Sequence, residues 1–291
     1  MTTDVDHAAT VKKISEQGWL QGHIVPGDAL NPYIQEGLVD SLLGGKNPTY
    51  WILISHSCTV HARNYDDAPV VEWIACNFKR GKIFGKYLNA NNPRRLQLPI
   101  EDRRYLELRI ERRIWTPRLA LIDLQRNQEA TLDAEQLETL IFWLSHSYNR
   151  IAMPDRLVDR LRFQDEASGN YVGLGVQLDK FLDEHSLRLK SAWVSFNPKH
   201  EIDTPEEPYT LAFRFLVKNR HIRELEELNQ LLQEAIKEAP ALEPGLVLDD
   251  ITVTPMYDFT MLDVEDFTHY NSSDWLSLGE EDTESEDDTN E

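Results

Sequence analysis

A cluster of side chains capable of chemistry follows a short apolar segment near the middle of the first half of the chain. The segment 51–54 (Trp-Ile-Leu-Ile) is rich in β-branched and aromatic residues, which favours a strand buried on both faces. Loops at the ends of such strands commonly carry functional residues. The cluster supplies hydroxyls, imidazoles and a thiol, and its members are Ser55, His56, Ser57, Cys58, Thr59 and His61.

Several interpretations of this cluster stay open on the sequence. As an enzyme site, Cys58 would be the nucleophile and His56 or His61 its base, and these three are the predicted catalytic residues. As a metal site, Cys58 and His61 have a Cys-x2-His spacing and strand pairing could add Cys76 or His23, but structural zinc takes four ligands. As structure, Cys58 is a small buried residue and the histidines bind loop carbonyls. The cluster could also bind a ligand without reacting; we predict no metal and no cofactor.

The net charge of −20 is unevenly distributed along the 291 residues. Residues 238–291 contain 17 acidic residues and no Lys or Arg, and the rest of the chain has 33 acidic against 30 basic residues. Residues 78–118 have the opposite balance, with 12 basic and 4 acidic residues. Such asymmetry indicates charged partners and solubility rather than a fold.

The basic stretch is interleaved with Phe78, Phe84, Tyr87, Tyr105 and Trp115, a pattern typical of a phosphate-binding face with stacking groups. The alternative is a solvated face whose bases pair with nearby carboxylates. We therefore predict contact with RNA or DNA through the following side chains: Lys79, Arg80, Lys82, Lys86, Arg94, Arg95, Arg103, Arg104, Arg109, Arg112 and Arg113.

Three further features suggest interactions. The pair His146 and Arg150 has i, i+4 spacing and fits either a ribonuclease-like site or a solvated helix end. Trp275 either packs on the body of the protein or docks to a partner. The acidic C-terminal region solubilises the protein, competes for the basic stretch, or mimics nucleic acid for a basic partner.

The hydrophobic pattern predicts an α+β protein. We expect a β-rich domain over residues 1–162, a small β-barrel or curled antiparallel sheet with a helical pair, then an α+β domain of two layers over 163–278 and a disordered acidic tail over 279–291. Asp133 and Gln136 form a capping box that predicts a helix start, and Pro154 suits the first turn of a second helix. Tyr105–Ile114 alternates as a strand, and we expect a hairpin with residues 119–124 that exposes Arg109. The other predicted strands are 21–25, 50–55, 70–76, 187–196, 209–217 and 246–253, and the other predicted helices 11–20, 31–43 and 222–239.

The sequence argues against several classes of protein. Two cysteines do not make a disulfide framework, no leader pattern follows Met1, and no apolar run reaches the length of a membrane span, so we expect a cytoplasmic protein without membrane contact. Gly44-Gly-Lys46 lacks the first glycine and the hydroxyl of a phosphate-binding loop. Dinucleotide-binding, zinc-protease and serine-hydrolase motifs are also absent from the sequence.

The first half of the chain resembles a family of uncharacterised bacterial and prophage proteins. Its members read Gln-Gly-Asp-Val/Ile, then Val-Ser-Gln-x-Cys-Asp-Ile, then Pro-Phe-Val-Glu; this chain reads Gln-Gly-His-Ile from Gln21, Ile-Ser-His-Ser-Cys-Thr-Val from Ile54 and Pro-Val-Val-Glu from Pro69. The segment from Arg150 to Asp155 is similar to an Arg-x-Ala-x-Pro-Asp stretch in the same proteins. His23 and Thr59 replace acids of the family, so any metal or proton chemistry of those acids is lost here.

A looser similarity to MazF-like toxin barrels concerns the fold, because their catalytic arginine has no evident counterpart. The resemblance to the uncharacterised bacterial and prophage family implies a setting among prophages, mobile elements and anti-phage or toxin-antitoxin systems. We therefore expect a binding or regulatory component that contacts nucleic acid, or a partner protein of the same operon, through the basic stretch. A cysteine-dependent enzyme or ribonuclease-like effector and an acidic nucleic-acid mimic are the alternatives.

Overall fold

The computed structural model describes residues 7–35, 37–100, 103–127, 131–148, 153–202, 204, 207–239 and 245–270. The chain forms two compact units: residues 1–83 and 93–148 make the first, and residues 84–92 and 149–291 the second. The domains predicted over 1–162 and 163–278 stay a prediction. The tail predicted over 279–291 lies outside the described residues.

The first unit is built around a five-stranded antiparallel sheet. Its strands are β1 (Ile24–Pro26), β2 (Tyr50–Leu53), β3 (Val70–Arg80), β4 (Arg95–Ile100) and β5 (Arg104–Pro117), in the order β1-β2-β3-β5-β4. Its helices are α1 (His7–Gln17), α2 (Leu38–Leu43), α3 (Ser57–Val60) and α4 (Ala134–His146). Short 3-10 helices cover Asn31–Tyr33 and Arg118–Ile122.

One face of this sheet carries the core of the first unit. Trp51, Leu53, Trp73 and Ala75 are buried there with Trp19, whose indole N–H donates to Leu121 O over 3.0 Å. The apolar run after Thr49 thus forms a core strand, as its composition predicts.

The sheet is open, so the predicted small β-barrel is wrong. β1 and β4 are its two edges, and no hydrogen-bonded pair joins them within the described residues. Edge strand β1 is only three residues long and ends at Pro26, which has no N–H to donate. The antiparallel sheet and the mixture of helices with strands agree with the α+β prediction.

The predicted hairpin after residue 114 is also wrong. β5 continues to Pro117, and the chain then turns into the 3-10 helix Arg118–Ile122 rather than a strand. β5 instead pairs with β3 on one side and with β4 on the other. β4 is absent from the predicted strands, although its Leu96, Leu98 and Ile100 alternate with the period of a strand.

Helix α4 begins where its cap predicts. Asp133 Oδ1 accepts the Gln136 backbone N–H over 2.8 Å, and the Gln136 side chain accepts the Asp133 N–H over 2.9 Å. This capping box satisfies two N-terminal donors, and Leu140 and Trp143 are buried. Gln136 Nε2 also donates to Pro99 O of β4, which fixes the helix against the sheet.

The second unit combines a four-stranded mixed sheet with helices. Its helices are α5 (Asp155–Leu161), α6 (Leu174–His185), α7 (Leu225–Lys237) and α8 (Met261–Asp266). Its strands are β6 (Phe163–Gln164), β7 (Tyr171–Val172), β8 (Leu189–Asn197), β9 (Tyr209–Val217), β10 (Leu246–Pro255) and β11 (Thr268–His269). Short 3-10 helices cover Gly85–Tyr87, Asn219–Glu224 and Met256–Asp258.

The larger sheet has the order β10-β9-β8-β11, and β10 runs parallel to β9 while the other pairs are antiparallel. Alternate residues of β9 are buried with apolar residues of α6 and α7, among them Phe215, Phe181 and Leu228. The boundaries of β9 match the predicted strand 209–217. The predicted strand 209–217 is therefore confirmed as one of the two inner strands of this sheet.

Candidate functional site

The thiol of the predicted catalytic cluster lies on a one-turn helix. Cys58 is exposed in α3, and His56 is the residue that caps this helix. His56 Nδ1 accepts the Cys58 backbone N–H over 3.2 Å. The imidazole therefore stabilises the turn through the cysteine's backbone rather than through its thiol.

The other polar residues of the cluster also bind backbone groups. His61 Nε2 lies 2.6 Å from Trp19 O, Ser57 Oγ accepts the Gln21 N–H over 3.1 Å, and Ser55 Oγ accepts the Glu72 N–H over 2.8 Å. Within the described residues, Cys58 Sγ forms no hydrogen bond with either imidazole. This geometry supports the structural interpretation for the imidazoles and hydroxyls, but the prediction that Cys58 is a buried residue is wrong, because its side chain is exposed.

The described part of the chain contains no group of three His, Cys, Asp or Glu residues placed to hold a metal ion. Cys76, the other cysteine, is fully buried in β3. Burial, and then the negative charge of Glu107, raise the pKa of its thiol far above the ordinary value. Cys76 is therefore a protonated core residue at neutral pH.

Arg118, which is not among the predicted site residues, binds backbone carbonyls of α3 and the loop after it. Its side chain is fully buried, and its guanidinium donates to Thr59 O (3.2 Å), Ala62 O (3.0 Å) and Asn64 O (3.2 Å). Burial lowers the pKa of Arg118 from its ordinary value. The guanidinium of Arg118 therefore stabilises the loop through several backbone carbonyls. No local pattern in the sequence distinguishes Arg118 from the neighbouring surface arginines.

One part of the basic stretch is neutralised inside the first unit. Arg95 Nη2 lies 2.6 Å from Glu107 Oε2, and both side chains are largely buried. Arg109 lies directly opposite Arg95 and is half-buried. The prediction that β5 exposes Arg109 is wrong, because Arg109 is half-buried beside Arg95, whose guanidinium pairs with the Glu107 carboxylate.

A second part of the stretch forms a mixed charged and aromatic cluster near the end of β5. Arg113 Nη1 lies 3.4 Å from Glu72 Oε1 and also donates to the Tyr148 hydroxyl. Arg113 Nε donates to Ile110 O over 2.8 Å. Burial raises the pKa of Glu72, and the positive charge of Arg113 opposes that rise.

A third part forms a cationic surface where β3 ends and β5 begins. Arg80 and Arg104 lie directly opposite each other, and the Gly81 N–H donates to Arg103 O over 3.0 Å. We call this region the cationic end and define it by Lys79, Arg80, Lys82, Arg103 and Arg104. Arg80, Lys82 and Arg103 are exposed, while Lys79 and Arg104 are half-buried. Glu101 and Asp102, the acidic residues that precede Arg103 in the sequence, lie outside the described residues.

The remaining predicted contacts are dispersed. Arg94 is exposed at the start of β4, and Arg112 is half-buried within β5. Lys86 belongs to the second unit, where its backbone N–H donates to Asp183 Oδ1 over 2.8 Å. The predicted single basic face is therefore divided into separate local environments in the fold.

The other predicted interaction features are only partly described. His146 Nδ1 lies 2.9 Å from Phe142 O, one turn earlier on α4, whereas Arg150 lies outside the described residues. Trp275 and much of the acidic C-terminal region lie outside them as well. Within the described part of that region, Asp250 pairs with Arg214 over 2.6 Å.

No helix in the described ranges combines the length and apolar character needed to cross a membrane. Comparisons of the chain with protein-family models, with curated proteins and with solved structures find no match.

Proposed function

We propose that this protein binds nucleic acid, with the cationic end as its phosphate-contacting surface. The observation that carries the proposal is the pairing of Arg80 with Arg104 across β3 and β5. This pairing places two positive charges on one face of the sheet, and an anionic phosphate is the complementary ligand for such a surface. Neither Arg80 nor Arg103 forms an ion pair with a described residue, so both guanidinium groups are available to an anion.

An aromatic ring adjoins these cations. Phe78 lies two residues before Arg80 on the same face of β3 and is 39% exposed. The Arg104 guanidinium lies 5.9 Å from the centre of its ring. Exposed rings beside phosphate-binding cations are typical of surfaces that follow a nucleic-acid strand.

The biological setting rests on the sequence resemblance. The motif around Cys58 supports a binding or regulatory role in a bacterial defence or toxin-antitoxin system, with a partner protein of the same operon as a further ligand. Genes of such a system beside this gene in independent genomes would support the setting. Consistent location in an unrelated metabolic operon would contradict it.

The salt dependence of binding tests the phosphate-contacting surface. We expect single-stranded oligonucleotides to bind the full chain with an affinity that falls steeply with salt, because about 0.7 counterions are released per phosphate contact. The double variant Arg80→Gln/Arg103→Gln should reduce the slope of log K against log salt by about 1.4.

Arg63→Gln is the matched control, because Arg63 is also exposed in the first unit but lies outside the cationic end. Its slope should equal that of the unmodified protein. Absence of binding by the full chain and by a variant lacking residues 279–291 would contradict the proposed function.

A further inference from the structure

An exposed tryptophan lies at the opposite end of β5 from the cationic end. Trp115 is 58% exposed and sits directly across from Glu72 of β3. Arg113, two residues earlier, lies on the same face of the sheet. No ring contact involves Trp115 within the described residues. Its indole face is thus open next to an ion pair.

The arginine beside this indole is held in place from several sides. The Arg113 guanidinium donates to Ile110 O and to the Tyr148 hydroxyl and lies 3.4 Å from the Glu72 carboxylate. Its Cζ is 5.1 Å from the centre of the Tyr148 ring. Tyr148 itself is 71% exposed. The site therefore presents exposed aromatic side chains around a fixed cation.

We propose that Trp115 is a stacking platform for an unpaired base of a nucleic-acid strand, with Arg113 and Tyr148 beside it. The inference rests on the proposed function and specifies its ligand as single-stranded. A duplex keeps its bases stacked inside the helix, whereas a single strand can place a base on an indole. The stacking group and the cationic end are carried by the same strand, β5.

The charges around Trp115 favour a base over an apolar protein surface. Arg113 and Glu72 keep side-chain exposures of 18% and 22%, and an apolar partner that covered the site would remove this remaining contact with water, which opposes such burial. A base covers the indole with a flat ring that carries polar groups at its edge, so it does not place an apolar surface over the ion pair.

Oligonucleotides with and without bases test this inference. The probes are adenine 12-mers of DNA and RNA and 12-mers of the same sugar that lack bases, so that phosphate number is matched. We expect the full chain to bind at least one adenine 12-mer about tenfold more tightly than its abasic counterpart. Trp115→Ala should remove that difference, and Trp115→Phe, which keeps a ring, should retain most of it.

The outcomes separate the two proposals. Equal affinity for adenine and abasic 12-mers, or an unchanged preference in Trp115→Ala, would overturn the stacking site and leave phosphate binding in place. If the unmodified protein bound none of the probes, both the stacking site and the proposed nucleic-acid binding would be overturned. Because Trp115 is exposed, both variants should fold, and melting temperatures near that of the unmodified protein would establish this. Arg63→Gln, outside both surfaces, should keep the preference for bases.

Discussion

Arg80 of β3 and Arg104 of β5 are directly opposite each other in the sheet of the first unit, so their side chains lie on the same face. This relationship depends on the register between strands that are more than twenty residues apart in sequence. It places two cations together where a packed sheet would gain from an opposite pair. Two positive charges on one face of a sheet favour an anionic ligand at that position.

Replacing Arg80 should therefore affect stability and binding in opposite directions. We expect Arg80→Thr to raise the free energy of unfolding by about 0.5 kcal/mol at low salt, because it removes the like-charge pair. The gain should shrink at high salt, where exposed charges are screened. Urea unfolding at two salt concentrations measures the effect, with Arg63→Thr as the control. A loss of stability at low salt would contradict the assigned repulsion.

Replacing the buried Arg118 should change the free energy of unfolding far more than replacing Arg80. Arg118→Leu removes the donors to the carbonyls of Thr59, Ala62 and Asn64, and we expect it to lower the free energy of unfolding by roughly 2–4 kcal/mol. Arg118→Lys should recover part of the loss, since an ammonium retains a charge but not the spread of the guanidinium. Urea unfolding compares both variants with Arg63→Leu, which should stay near the unmodified protein. An Arg118→Leu variant of unchanged stability would show that the hydrogen bonds of Arg118 do not stabilise the loop.

The two thiols should differ in reactivity because only one is accessible. Cys58 is exposed and Cys76 buried. A disulfide reagent added to the native protein should modify one thiol per chain rapidly, and the second only after unfolding. Cys58→Ala should abolish the rapid phase and leave nucleic-acid binding unchanged. Weaker binding by that variant would show that Cys58 contributes to the nucleic-acid site.

Local patterns along the chain were sufficient to predict several elements. The capping box at Asp133 involves neighbours in sequence, so the start of α4 could be read directly. The alternation in β9 reports burial on one face of a sheet, so its limits could be predicted as well.

Features that depend on strand pairing could not be predicted in this way. The alternation of β5 suggested an exposed charged face, but β4 lies beside it and Arg95 neutralises Glu107. The candidate surfaces have the same origin: the opposition of Arg80 to Arg104 and of Glu72 to Trp115 is set by register. Composition therefore identified the basic stretch, while the fold decided which of its charges remain accessible.

The carboxylate near Trp115 should make stability depend on pH. Burial raises the pKa of Glu72 above its ordinary value of 4.5. The folded state then holds a proton that the unfolded state has released, so the free energy of unfolding should fall as pH rises from 4.5 through the raised pKa. Glu72→Gln should flatten this part of the pH profile, and Glu234→Gln, at an exposed position of α7, should not. Thermal unfolding between about pH 4 and pH 7 measures the difference; an identical decline in both variants would place the titrating group elsewhere.

The ion pair between Arg95 and Glu107 should contribute to stability and not to phosphate binding. Glu107→Leu leaves the largely buried Arg95 without its carboxylate, and we expect the free energy of unfolding to fall by roughly 3 kcal/mol. The double variant Arg95→Met/Glu107→Leu should lose less than the single variant, because it removes both charges together. Urea unfolding gives these values, and a salt series with a single-stranded oligonucleotide gives the number of phosphate contacts. If Arg95→Met reduced the slope of log K against log salt, as predicted for Arg80→Gln/Arg103→Gln, Arg95 would also contact the oligonucleotide. The nucleic-acid surface would then extend from the cationic end along β4.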